Sequence, residues 1–379
     1  MFGPNRKIIG VIGLGIIGRA VSTNLRQQGF QVFVWNRTPR PVPNFVGSPA
    51  ELAELCDFLQ IFVSDDEALR ETVERLSEKL GSRHIVIAHS TVAPDSMRAA
   101  AKIVERRRAR FVEAPFTGSK IAAEKGELVY YVGGSDAALR DARPVLEASG
   151  KQIIKIGEIG QATAVKIATN MVTAASVQAA AEALALVRAL GLPFDRLLEA
   201  MQGNASYSTT LAMKVPKMIE HNFEPHFSVK HMLKDMEIAK QLGVSHNLGL
   251  GVTAAARDQL LEQMQWGHGD DDYSAVARKY LPDTRSTAQE ETQTGVPDAQ
   301  GEPGSVAPAL EPTTSLTGLE ERRPKQENGE NGDSATKDVA VSTSPSKELK
   351  ETARLRRGFL SQLLRRGWQL LKQPVSKEG

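Results

Sequence analysis

Cysteine is nearly absent from this chain. Cys56 stands alone in 379 residues, which excludes an internal disulfide and suits a reducing cytosol. With no motif around it, that thiol reads as a packed side chain rather than a nucleophile. An excess of charge is missing too, and a formal net charge of +2 gives no global case for nucleic acid or acidic partners. No uncharged apolar run approaches the length of a transmembrane helix. The opening residues, MFGPNRKIIGVIGLG, enter a strand almost at once, so no signal peptide is expected and a cytoplasmic location is. What remains is 41% hydrophobic content, enough for real cores, on a length that suits two domains and a tail.

Residues 7–12 form an apolar, β-branched run that stops at GLGIIG, and RAVSTNLRQQG after it reads as a helix. Gly13, Gly15 and Gly18 have the spacing of the dinucleotide fingerprint. Gly13 allows a tight turn, Gly15 lets a pyrophosphate come close, and Gly18 lets helix pack on strand. With Leu14, Ile16 and Ile17 they make the predicted phosphate cradle, whose N–H groups belong to a helix N-terminus. A purely structural turn is the competing reading, and placement between strand and helix favours the nucleotide. The second predicted strand, residues 31–35, ends in Asn36, Arg37 and Thr38. An NAD site usually has an acid here to hold the ribose 2′-hydroxyl. Asn36 has no charge to repel a 2′-phosphate, while Arg37 and Thr38 offer donors to one, so NADP is the expected cofactor. Only PRPVPNF separates Thr38 from Val46, too short and too proline-rich for a crossover helix.

SPAELAELC reads as a short helix with Ser48 as cap and Pro49 in its first turn. Strands are predicted at 58–63, 84–88, 109–113, 128–132 and 152–156, with helices at 67–80, 96–107 and 137–149. Ligands collect at the carboxyl ends of strands in open α/β sheets, which makes Ser90 and Thr91 candidate contacts. His89 beside them is expected to cap or pack rather than act as a base. Thr117, Gly118 and Ser119 lie ahead of a helix near Ile121, and their hydroxyls and N–H groups suit a small carboxylate.

GQATAVKIATN, residues 160–170, opens an Ala-rich segment with no interior Gly or Pro before Gly191 and Pro193. A helix over 161–190 would be roughly 45 Å long. Its small, apolar first turns imply burial on most sides. Lys166 and Asn170, four residues apart, share one face. A buried ammonium tends to have a lowered pKa, which suits proton transfer. On these residues alone a Lys that snorkels to solvent would be favoured, and the nucleotide motifs upstream reverse that. Further helices are predicted at 193–201, 209–221, 229–242 and 248–265, with a short one in DDYSAVARKY. His221, His226 and His231 follow at spacings of five, off any single helix face and without Cys or paired carboxylates, so no metal site is expected.

The predicted fold class is α/β: a Rossmann-type doubly wound sheet over 1–160, then an all-α domain over 161–281 built on the long interdomain helix. Composition breaks after Leu281. Residues 282–346 are rich in Thr, Ser, Pro, Gly, Glu and Gln and are expected to be a disordered, acidic linker. Residues 347–379 are basic. Leu355, Phe359, Leu363, Leu370 and Leu371 alternate with Arg354, Arg356, Arg357, Arg365, Arg366 and Lys372 across 347–373. The pattern fits an amphipathic helix for an anionic membrane surface or a protein groove. A helix packed back on the enzyme, or an unfolded segment, fits equally, and Gly358 and Gly367 weaken any helix.

GLGIIG with Asn24 after it, STVAP, APFTGSK…GEL, GQATAVKIATN and KDMEIA occur in this order within residues 7–280. The chain thereby resembles the β-hydroxyacid dehydrogenase family, which includes 3-hydroxyisobutyrate dehydrogenase and 6-phosphogluconate dehydrogenase. It is most similar there to the glyoxylate/succinic semialdehyde reductase type, through NRT after the second strand, TGSK in place of a Gly-Gly pair, and Ala162 before the lysine. The resemblance implies that Lys166 is the catalytic lysine and that Asn170 orients the substrate. It also implies that Thr117, Gly118 and Ser119 bind the substrate carboxylate, and that Thr91, Phe227, Lys234 and Asp235 lie near the nicotinamide. Two departures stand out: Thr117 where the family usually has Ser, and the missing crossover helix after Thr38. The implied activity is NADPH-dependent reduction of a small carboxylate-bearing aldehyde or keto acid, with Lys166 as proton donor. Alternatives are an NAD(P)-dependent 3-hydroxyacid dehydrogenase and a non-catalytic NADP-binding scaffold. An imine reductase of the same superfamily fits less well, because those enzymes generally lack the lysine. Helical domains of the family commonly form dimers or tetramers, which implies a homo-oligomer.

Overall fold

The computed structural model describes residues 7–281; the expected linker and basic tail lie outside the described residues. Strands β1 (Ile8–Ile12), β2 (Gln31–Trp35), β3 (Phe58–Ile61), β4 (Ile85–Ala88) and β5 (Arg110–Glu113) run parallel in the order β2-β1-β3-β4-β5. The sheet is extended by β6 (Phe116–Thr117), β7 (Leu128–Gly133) and β8 (Gly150–Gly157). β7 runs antiparallel to β5 and β6 and parallel to β8. Six helices are threaded among these strands: α1 (Ile16–Gln27), α2 (Pro49–Leu55), α3 (Asp66–Ser77), α4 (Pro94–Glu105), α5 (Lys120–Glu124) and α6 (Asp136–Glu147). The chain leaves β1 for β2 on one side and returns to β3 on the other. That reversal opens a crevice at the carboxyl ends of β1 and β3.

Alternation along each strand sorts the core into two layers. Ile9, Val11, Val34 and Ile87 pack under α1 and α6, while Ile12, Leu59, Ile61 and Val86 pack under α2, α3 and α4. Cys56 lies buried in the second layer, and burial pushes its thiol up to about 12, which keeps it protonated and unreactive. Ser48 caps α2 by accepting from the Glu51 N–H, and Asp65 caps α3 by accepting from the Ala68 N–H.

Among the differences from the expected elements, three have clear local reasons. Helix α1 starts at Ile16, inside the glycine motif, because Gly15 takes the extended cap conformation and the chain coils at once. Strand β3 ends at Ile61, two residues early, since the Val63 N–H leaves the ladder for the Ser90 hydroxyl. DDYSAVARKY forms a 3₁₀ helix, Tyr273–Lys279, whose first turn is drawn tight by Asp272 accepting from the Ser274 N–H. As the proline-rich segment requires, no helix lies between β2 and α2. Phe45 instead pairs beside Val34 as a short parallel bridge.

The second half is helical: α7 (Gln161–Ala189), α8 (Phe194–Gln202), α9 (Thr209–Ile219), α10 (Val229–Ser245) and α11 (Gly251–Gln265). Ala174, Val177, Ala181 and Leu184 of α7 pack on Val215, Met218, Met232, Met236, Leu260 and Val276. The expectation that α7 is buried on most sides is corrected here. Only one stripe, from Thr163 through Ile167, Asn170 and Ala174 to Leu184, is covered, while Val172 and Leu186 remain 68% and 61% exposed. Neighbouring elements pack on one side of the helix within this chain, and composition alone does not say which side that is.

Candidate active site

The glycine loop joins β1 to α1. Gly13 has φ +92°, and a Cβ there would come within 2.0 Å of the Phe62 carbonyl oxygen. A Cβ on Gly18 would lie 1.9 Å from the Gly13 carbonyl oxygen, so this close turn requires glycine at both positions. Around Gly15 nothing lies within 4 Å of where a Cβ would point. Open space therefore sits where the fingerprint needs room for pyrophosphate. Helix α1 has no side-chain cap and no acid in its first turn. The N–H groups of Ile16, Ile17 and Gly18 consequently lack intrahelical acceptors at an unopposed positive dipole end. These residues fit a dinucleotide phosphate.

Leu14 and Asn36 have a different job. The Leu14 N–H donates to Asn36 Oδ1 at 2.9 Å, and Asn36 Nδ2 donates to the Thr38 carbonyl at 2.8 Å. Asn36 thus laces the end of β2 to the glycine loop, in addition to lacking charge. Arg37 and Thr38 stand exposed beside it.

Three elements meet at Lys166. From α7, Lys166 Nζ donates to Asn170 Oδ1 at 2.9 Å, and Asn170 Nδ2 donates to Asp235 Oδ2 of α10 at 2.6 Å. Lys234 Nζ donates to Asp235 Oδ1 at 2.6 Å and to the carbonyl of Thr91, in the loop after β4. A lysine only donates and a carboxylate only accepts, so the Asn170 amide can point one way alone. Lys166 is half-buried as a residue, but its ammonium lies deep. Burial pulls its pKa down to about 8, with the Asp235 charge holding it up and the Lys234 charge pushing it further down.

The loop of Thr117, Gly118 and Ser119 shares no hydrogen bond with this network among the described residues. Gly118 has φ +124°, and a Cβ there would sit 3.0 Å from both Ala122 Cβ and Leu128 Cδ2. Ser119 precedes α5 without capping it, which leaves its hydroxyl uncommitted to the helix. Phe227 lies half-buried between His231 and Tyr273, with ring centroids 6.0 and 6.1 Å away. Its segment is pinned by buried Asp272, which accepts from the His226 N–H at 2.9 Å and from Lys214 Nζ at 2.7 Å.

His89 lies flat on Phe62, 4.3 Å between centroids, and burial pushes its pKa down to about 3. Its ring is neutral and buried, which makes it a packing group and no base. Nδ1 lies 2.8 Å from the Ala114 carbonyl and Nε2 lies 2.9 Å from the Gln60 amide oxygen, while the Gln60 amide nitrogen is buried without a partner. A neutral ring donates only once, and with Nδ1 donating to the Ala114 carbonyl, Nε2 accepts from the Gln60 amide when that amide is turned nitrogen-inward. Glu113, the last residue of β5, escaped the sequence reading altogether. Its carboxylate accepts from the N–H groups of Gly160 and Thr163 at the start of α7. The available signal was a lone acid closing a buried strand, upstream of a long helix with no acid in its own first turn.

Comparison with known proteins agrees with this architecture. A family model for the NAD binding domain of 6-phosphogluconate dehydrogenase matches residues 8–157, and one for NAD-binding of NADP-dependent 3-hydroxyisobutyrate dehydrogenase matches 160–280. Glyoxylate/succinic semialdehyde reductase 1 of Arabidopsis thaliana is 32% identical over 282 residues, covering 71% of this chain and 96% of that protein. Cytokine-like nuclear factor N-PAC of Gallus gallus is 32% identical over 288 residues, covering 73% of this chain; the chain spans 52% of that relative's length. Among solved structures, 3-hydroxyisobutyrate dehydrogenase of Mycobacterium tuberculosis with L-serine superposes with a TM-score of 0.66 at 26% identity, covering 73% of this chain and 99% of that one. With a Rossmann-type sheet, a helical second half and a reductase relative matched over nearly its whole length, this chain belongs to the β-hydroxyacid dehydrogenase family.

Proposed function

We propose that the chain is an NADPH-dependent reductase of small carboxylate-bearing aldehydes or keto acids, in the manner of glyoxylate or succinic semialdehyde, with Lys166 as general acid. The observation that carries this is a buried ammonium hydrogen-bonded to Asn170 and steadied through Asp235, with burial lowering its pKa to about 8. At neutral pH most of that group is protonated, so it can donate to an alkoxide forming beside it, and it also stabilises the developing charge. A reduced nicotinamide held along the cleft from Gly15 to Lys234 would supply the hydride. Arg37 and Thr38 are the residues to hold a 2′-phosphate, since no acid stands at Asn36 to repel it. The loop at Thr117, Gly118 and Ser119 would take the substrate carboxylate, with the Thr117 methyl narrowing the pocket. The uncovered apolar face of α7 around Val172 and Leu186 suits assembly into a dimer or tetramer.

Loss of NADPH absorbance with a panel of short aldehydes and keto acids tests this reading. Turnover is expected with compounds carrying a carboxylate within a few carbons of the carbonyl, and to be weaker with uncharged aldehydes. Reduction of NADP⁺ by 3-hydroxy acids, with no aldehyde reduction, would instead support the oxidative direction. NADPH binding without turnover in either direction would support a scaffold.

A further inference from the structure

The 29-residue helix α7 begins without a cap of its own. Its N-cap is Gly160 at φ +93°, no side chain of its own accepts from its first turn, and no acid stands in that turn. Unsatisfied N–H groups buried at a helix start would be costly, and the sheet supplies what the helix lacks. Glu113 is fully buried at the end of β5, and its two oxygens take the N–H groups of Gly160 and Thr163. Burial pushes this carboxyl's pKa up, while hydrogen bonds from Thr163, Gly160 and Ala162 favour its charged form. A negative charge there also complements the positive end of the helix dipole. The fit is close: a Cβ on Gly133, opposite Glu113 across the β5–β7 pairing, would lie 2.8 Å from the carboxylate.

Lys166 stands three residues beyond Thr163, one turn along α7, while Thr117 stands four residues beyond Glu113 along the chain. We infer that Glu113 is a positioning residue: by gripping the first turn of α7 from the end of β5, it fixes the rotation and axial height of the helix and so registers Lys166 against the substrate loop. This rests on the reading of Lys166 as proton donor. A slip of one residue would move the helix about 1.5 Å and turn it about 100°. Displacements of around 1 Å at a reacting group can cost about 10²-fold in rate. A neutral amide could accept only one of the two N–H groups and would present its own N–H to the other.

The test uses the full chain with Glu113→Gln, and Lys166→Ala in parallel. kcat is expected to fall about 10- to 100-fold while the Kd for NADPH stays within about threefold, because the glycine loop is untouched. The pH limb of kcat near 8 should also move upward, as Lys166 leaves its dry site between Asp235 and Lys234 of α10. A purely structural role would lower Tm and leave kcat and that limb in place, which would overturn the inference. If Glu113→Gln does not fold, Glu113→Asp decides: its carboxylate is one methylene short of both N–H groups, so lowered kcat with intact NADPH binding supports positioning and unchanged kcat overturns it. Near-normal turnover of Lys166→Ala would instead defeat the proton-donor reading, whatever Glu113 does. Normal turnover of Glu113→Gln beside an inactive Lys166→Ala defeats only the positioning.

Discussion

Lys166 and Asn170 lie four residues apart on α7, with the ammonium 2.9 Å from the amide oxygen and the amide nitrogen 2.6 Å from Asp235. An ammonium held this way is registered by its neighbour rather than free to rotate. Replacing Lys166 by Ala is expected to lower kcat about 10²- to 10⁴-fold, or roughly 3 to 5 kcal/mol of barrier. The Kd for NADPH should be little changed, since the glycine loop lies on the other domain. Lys166→Arg should rescue little, because guanidinium keeps its proton at any working pH. Steady-state kinetics with fluorescence titration of NADPH checks both halves.

Asp235 should set the pH at which this donor works. Its charge holds the Lys166 pKa up against burial, so Asp235→Asn should lower that pKa below about 8. Reduction needs the protonated form, and the rate is lost as pH rises through the pKa. The alkaline limb of kcat should therefore move to lower pH in the variant. A limb that stayed in place would show that Asp235 does not act on the titrating group.

Cofactor choice should reside at the end of β2. Arg37→Asp places a carboxylate where a 2′-phosphate would be bound and where a ribose 2′-hydroxyl could donate to it. The ratio of kcat/KM for NADPH over NADH is expected to fall by an order of magnitude or more, on the order of 1.4 kcal/mol per tenfold. An unchanged ratio would move the selectivity elsewhere in the cleft.

Stability should hinge on a pair far from the chemistry. Lys214 Nζ lies 2.7 Å from both Asp272 oxygens, deep in the helical core, and the same carboxylate takes the N–H groups of His226 and Phe227. Asp272→Ala leaves an ammonium buried without its partner, which typically costs about 3 to 5 kcal/mol. Urea denaturation should show this loss, along with weaker NADPH binding if the Phe227 segment loosens. Lys214→Met should be milder, since Asp272 keeps its N–H and Ser274 donors.

Local features of the sequence determined the nucleotide half, and the first turns of α7, almost unaided. The glycine spacing, the missing acid at Asn36, the Ser48 cap and the i, i+4 pairing of Lys166 with Asn170 are all decided within a few residues, by backbone sterics and helical period. Family likeness pointed to Lys234 and Asp235, but only the packing of α10 against α7 makes Asp235 a partner of Asn170, sixty-five positions away. The same holds more strongly for Glu113 and Asp272, ordinary acids in sequence, whose weight comes from the N–H groups that tertiary contact brings to them. The face of α7 that stays uncovered was equally invisible. Alanine and valine serve a buried side and an exposed one alike, and only the arrangement of neighbouring helices decides which is which.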